Sequence, residues 1–146
     1  MLHGSASYLV FMDDDDYLGP RYLEEHLLHA KRGRFVGKRI AWVEWEGDSI
    51  ELVGGSKGAT WLLAGTMGGF VGDWELVSWP EGPGEEVGVA CQARELGLEL
   101  HATSVHNFVY RRGEREHGYQ VTREKFYQRH GKLVRCARSL EETNQP

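Results

Sequence analysis

At 146 residues the chain has room for one hydrophobic core, and 40% hydrophobic with 27% charged residues is a globular composition. A formal net charge of −5 argues against a general nucleic-acid binder, which neutralises phosphates with basic surface. Two cysteines, Cys91 and Cys136, are too few and too scattered for a disulfide framework or a zinc site, and no apolar run reaches bilayer-spanning length. The expectation is a cytoplasmic chain. Basic residues gathered in the last third, from Arg111 to Arg138, leave peripheral contact with a membrane surface open.

The first apolar run, Tyr8 to Met12, lacks polar alternation and predicts a strand buried on both faces, as in the centre of an α/β sheet. It stops at four aspartates, Asp13 to Asp16. Gly19-Pro20 then opens a helix whose apolar face is Leu23, Leu27 and Ala30, with Gly33 as its stop. Arg39–Trp45 and Ser49–Val53 read as a hairpin around Glu46-Gly47-Asp48, and residues 60–64 as a further strand.

Gly65 to Gly72 reads as irregular, with Gly68-Gly69 suited to close approach of a ligand. Trp79 to Gly84 is a loop. Glu85 to Leu96 predicts a helix, with two acids at its positive end, Cys91 as a small core residue and Gly97 as its stop. Strands follow around Leu98–Ala102 and Val105–Tyr110, then a helix capped by Thr122 and closed by Gly131, then a disordered tail over 139–146. The sum is an α/β chain with one domain over 1–138, its mixed sheet flanked by helices.

Four adjacent carboxylates repel one another, and the carboxyl end of a strand is where α/β sheets bind ligands. A hard divalent cation such as Mg²⁺ or Mn²⁺ would relieve that repulsion and bridge to substrate phosphates. A solvated acidic turn is the alternative. The strand directly before the run favours a site, because it fixes where the carboxylates point.

The segment from Tyr8 through Asp13-Asp14-Asp15-Asp16-Tyr17 to Gly19-Pro20-Arg21-Tyr22-Leu23 resembles the DxD segment of family 2 glycosyltransferases. Gly58-Ala59-Thr60-Trp61 is similar to that family's segment before the acceptor region, and Pro83-Gly84-Glu85-Glu86 stands where it has Gly-Glu-Asp. Gly97 to His101 resembles the strand after the following helix. Phe108 to Arg112 and His117-Gly118-Tyr119 resemble the Phe-x-Tyr-x-Arg-Arg and His-Thr-Trp elements of a subgroup. The matches run in order over most of residues 5–127.

The resemblance implies a partial GT-A fold and metal-dependent transfer of a sugar from a nucleotide-sugar donor to a glycan or small-molecule acceptor. It implies Asp15 as principal metal ligand, Asp13 on the metal or the donor ribose, and Asp14 and Asp16 as supporting or helix-capping groups. Glu86 would be the base, with Glu85 as its neighbour in reserve. His117 would complete the metal shell, Arg111 (with Arg112) would hold the diphosphate, and Trp61 would contact the donor. In this family nucleotide-binding strands and helices precede the DxD strand. The expectations are therefore a fragment of a longer gene, one piece of a split enzyme, or a remnant. A second copy or a partner chain would supply the missing half, and an exposed apolar edge would favour dimers. The competing reading is a non-catalytic module that binds metal or sugar-nucleotide, or docks on a partner enzyme. A calcium-loop domain lacks the spacing.

Overall fold

The computed structural model describes residues 7–45, 49–55, 61–81, 84–112 and 122–146. They belong to two compact units interleaved along the chain: Met1–Met12, Glu24–Lys38 and Thr60–Thr103 in the first, Asp13–Leu23, Arg39–Ala59 and Ser104–Pro146 in the second. Each has its own mixed sheet, where the sequence suggested a single one.

In the first unit, β1 (Tyr8–Val10), β6 (Gly68–Phe70), β3 (Arg34–Gly37) and β7 (Glu99–Ala102) lie side by side in that order. β3 and β7 run parallel, and β6 is antiparallel to both of its neighbours. Phe35, Leu62, Met67, Val89 and Ala93 form the core, with Leu98 and Leu100 packed against it. α3 (Glu85–Glu95) contributes Glu86, Val89, Ala90 and Ala93, a face set by helical spacing. Cys91 falls two residues past Val89 and is exposed, so it is a surface thiol and not the small core residue expected. Gly97 takes φ +71° and ends the helix as predicted.

β1 corrects the first expectation. It is an edge strand with half-buried residues, and Phe11 and Met12 beyond it remain 44% and 49% exposed. An unbroken apolar run therefore did not mark the sheet's centre. The run 60–64 is not a strand either: residues 62–63 are irregular and Ala64–Thr66 is a 3-10 turn. The stretch expected to be irregular holds β6 and the short helix α2 (Val71–Trp74). Its glycines approach the protein's own side chains. A Cβ on Gly68 would stand 2.7 Å from His26 Nδ1, and one on Gly69 2.6 Å from Phe35.

α1 (Tyr22–His29) forms where predicted but turns its other face inward. Tyr22 and His26 are 2% and 1% exposed, while Leu23 and Leu27 are 50% and 65% exposed. In the first unit Lys38, 1% exposed, pairs with Glu25 at 2.5 Å.

The second unit orders β2 (Tyr17–Leu18), β8 (Phe108–Arg112), β4 (Ala41–Trp45), β5 (Ile50–Gly55) and β9 (Gly131–Ala137). β4 and β5 pair as the predicted hairpin, whose turn lies outside the described residues. β4 holds the centre, and Trp42 and Val43, on opposite faces, are both fully buried. β8 begins at Phe108, later than expected, because Asn107 takes φ 63° and turns the chain just before it.

α4 (Arg123–His130) starts on its predicted cap, Thr122 accepting from the Lys125 N–H at 3.3 Å. It is fastened to β5 through Glu51, which accepts from Trp45 Nε1 at 3.0 Å and from Arg123 and the Tyr127 hydroxyl. β9 was not legible: five successive exposed residues, basic and apolar mixed, form an edge strand with a bulge opposite Leu52/Val53. Residues 139–146, expected to be a disordered tail, include a 3-10 turn at Glu141–Asn144. Its Thr143 is buried, the Thr143 carbonyl lies 3.0 Å from His106 Nδ1, and Asn144 donates to the Tyr17 hydroxyl at 2.8 Å.

Candidate metal centre

The aspartates open the second unit. A turn at Asp14-Asp15 leads into β2, whose antiparallel pairing with β8 sets Tyr17 opposite Val109 and Leu18 opposite Phe108. That register carries Asp16 to the end of β8, where its Oδ1 accepts the Arg111 backbone N–H at 3.0 Å. The turn brings carboxylate oxygens of Asp13, Asp15 and Asp16 within 4.8 Å of one another. Asp14 is exposed and stands outside this group. Asp16, expected as a supporting or capping residue, is thus part of the cluster.

Asp16 is the electrostatic focus. Burial is the main influence and raises its pKa to about 7; the Arg111 N–H and the Arg112 charge oppose the rise, and Asp15 and Asp13 add to it. Its Oδ2 is buried and has no hydrogen-bond partner among the described residues. A buried acceptor left in this state is costly unless it is protonated or meets a cation.

Mg²⁺ binds oxygens at about 2.1 Å in an octahedron, which sets neighbouring donors about 3 Å apart and opposite ones about 4 Å apart. The carboxylate oxygens of Asp13, Asp15 and Asp16, all within 4.8 Å of one another, are gathered on that scale. An all-oxygen set, with an Asp16 Oδ2 that has no hydrogen-bond partner among the described residues, fits a hard divalent cation. Bound there, such a cation would supply positive charge to an anionic group.

Arg111 takes part differently from the expectation. Its backbone N–H holds Asp16, while its guanidinium is engaged by Glu44 at 2.5 Å. Arg112 lies over the Tyr110 ring at 4.9 Å and supplies the cationic influence on Asp16. Glu44 was not singled out from the sequence. Its position opposite Arg111 follows from the parallel β4–β8 register, for which no local pattern gives a signal.

Glu85, Glu86 and Trp61 belong to the first unit, the aspartates and Arg111 to the second. Glu86 is 8% exposed in the first turn of α3, on the same helical face as Ala90, and Glu85 and Trp61 are half-buried. His117, with Gly118-Tyr119, lies outside the described residues. Among the described residues no helix is long and apolar enough to cross a membrane. Compared with protein-family models, curated proteins and solved structures, the chain matches none.

Proposed function

We propose that Asp13, Asp15 and Asp16 hold a divalent cation that receives the diphosphate of a nucleotide-sugar, and that the chain serves sugar transfer to an acceptor hydroxyl. The observation that carries this reading is the three-carboxylate cluster with a buried oxygen of Asp16 that has no hydrogen-bond partner among the described residues. It gains support from the ordered sequence resemblance of most of residues 5–127 to family 2 glycosyltransferases.

The chain's own groups divide the work. The Arg111 N–H fixes the Asp16 carboxylate, and the Arg112 guanidinium tempers its charge. Asp13, Asp15 and Asp16 would hold the cation, which when bound would supply positive charge against the leaving diphosphate. By the resemblance, Glu86 would take the acceptor hydroxyl's proton, a role that requires it to come within hydrogen-bond reach of that hydroxyl.

Calorimetry with uridine, guanosine and adenosine diphosphates, each with and without Mn²⁺, tests the reading. At least one nucleotide binds only with Mn²⁺, and Asp15→Ala abolishes the heat. Folded protein that binds none of them with Mn²⁺ present would sink the proposal. Glu86→Gln separates enzyme from binding module: it keeps nucleotide binding and loses turnover of the matching nucleotide-sugar.

A further inference from the structure

Away from the aspartates, the first unit gathers three aromatic rings. Phe11 meets Trp74 edge-on at 5.2 Å and Trp79 at 5.2 Å with a 43° tilt, and the two indoles lie 5.9 Å apart. Trp74 rests on the fully buried Phe35 at 4.4 Å, which ties the cluster to the core. Yet Phe11 and Trp79 stay 44% and 40% exposed.

The segment bearing Trp79 is fixed on both sides. Before it, the Ser78 N–H donates to Gln92 Oε1 at 2.8 Å, and Gln92 Nε2 donates back to the Ser78 carbonyl at 2.8 Å. After it, Pro80 packs so closely on α3 that a Cβ at Gly88 would meet the proline Cγ at 2.4 Å. Both clamps come from one helix. They fix the backbone on either side of Trp79, which lowers the ordering cost of binding there.

The size of the exposed surface narrows the ligand class. A large aromatic side chain offers roughly 200 Å², so two rings at these exposures present roughly 170 Å². A stable protein interface takes about 800 Å² from each partner. The patch suits a single ring of monosaccharide size. Its negative aromatic faces attract polarised C–H groups, which one side of a pyranose presents.

We propose that Phe11 and Trp79, backed by Trp74, form a stacking platform for a pyranose ring of the acceptor saccharide. The choice of a saccharide rests on the sugar-transfer reading; the platform's geometry is independent of the aspartate cluster.

The test is run without metal, in EDTA. Tryptophan fluorescence and saturation-transfer NMR follow titrations with cellobiose, lactose and N,N′-diacetylchitobiose, with uridine as a planar control. The expected result is saturable binding of at least one disaccharide. Trp79→Ala weakens it tenfold or more and Phe11→Ala several-fold, while Leu76→Ser, at an exposed apolar position outside the rings, leaves it unchanged. Both ring variants keep the far-UV dichroism of the wild type. No saturable binding, binding that Trp79→Ala retains, or a response to uridine alone overturns the platform. Because no cation is present, its failure is distinct from a failure of nucleotide binding at the aspartates.

Discussion

Replacing His26 with glutamine should flatten the acid limb of the stability curve. His26 is 1% exposed, and its pKa is lowered from 6.5 to about 4. Burial is the main cause; the Lys38 and His29 charges lower it further, while Glu25 and a backbone bond with Thr66 oppose. The folded-state value lies below the unfolded one, so the stabilisation is complete above pH 6.5 and is lost as pH falls towards 4. Across that window only the unfolded chain takes up this proton, at about 1.4 kcal/mol per pH unit. At pH 4 the folded state is half-protonated, which leaves a loss of about 3 kcal/mol, a large part of a typical domain's stability. Urea unfolding followed by far-UV dichroism at pH 7, 6, 5 and 4 measures this. Titrating carboxylates affect both proteins, so the difference between wild type and His26→Gln isolates the histidine. His26→Gln should lose about 3 kcal/mol less than wild type between pH 7 and 4. Parallel curves would refute the assignment of His26 as a neutral buried group.

Two further substitutions probe the packing of the first unit. Lys38→Ala leaves Glu25 facing a site built for a cation and should cost about 3–5 kcal/mol, whereas the paired change Lys38→Met with Glu25→Leu should cost far less; denaturant midpoints decide. Gly69→Ala drives a methyl group towards Phe35 and should cost about 1–3 kcal/mol, visible as a lowered melting temperature.

The elements most legible in the sequence were those whose signals are local. Gly97 and Thr122 mark helix ends because one residue's backbone or hydroxyl does the work. The β4–β5 hairpin declares itself through two apolar runs around a short turn. Non-local facts stayed hidden. Tyr22 and His26 share the same four-residue spacing as Leu23 and Leu27, so periodicity alone could not choose between the faces. In the first unit, Gly68 leaves room for the buried imidazole from far along the chain.

The parallel pairs β3–β7 and β4–β8 join residues more than 60 positions apart, and no local pattern divides the strands into two sheets. β9 carries its charges on an exposed edge, where alternation has no core face to report. At the site, the aspartate run was plain, but membership of the cluster was not. The turn and the pairing of β2 with β8 select Asp16 over Asp14, and β4 draws the Arg111 guanidinium to Glu44.

The most direct test of the account is Mn²⁺ binding, followed by electron paramagnetic resonance, in wild type, Asp14→Ala, Asp15→Ala and Asp16→Asn. The cluster predicts one bound ion per chain in the wild type and in Asp14→Ala, and at least a tenfold loss of affinity in Asp15→Ala and Asp16→Asn. Equal binding by all four proteins, or a loss with Asp14→Ala as large as with Asp15→Ala, would contradict it.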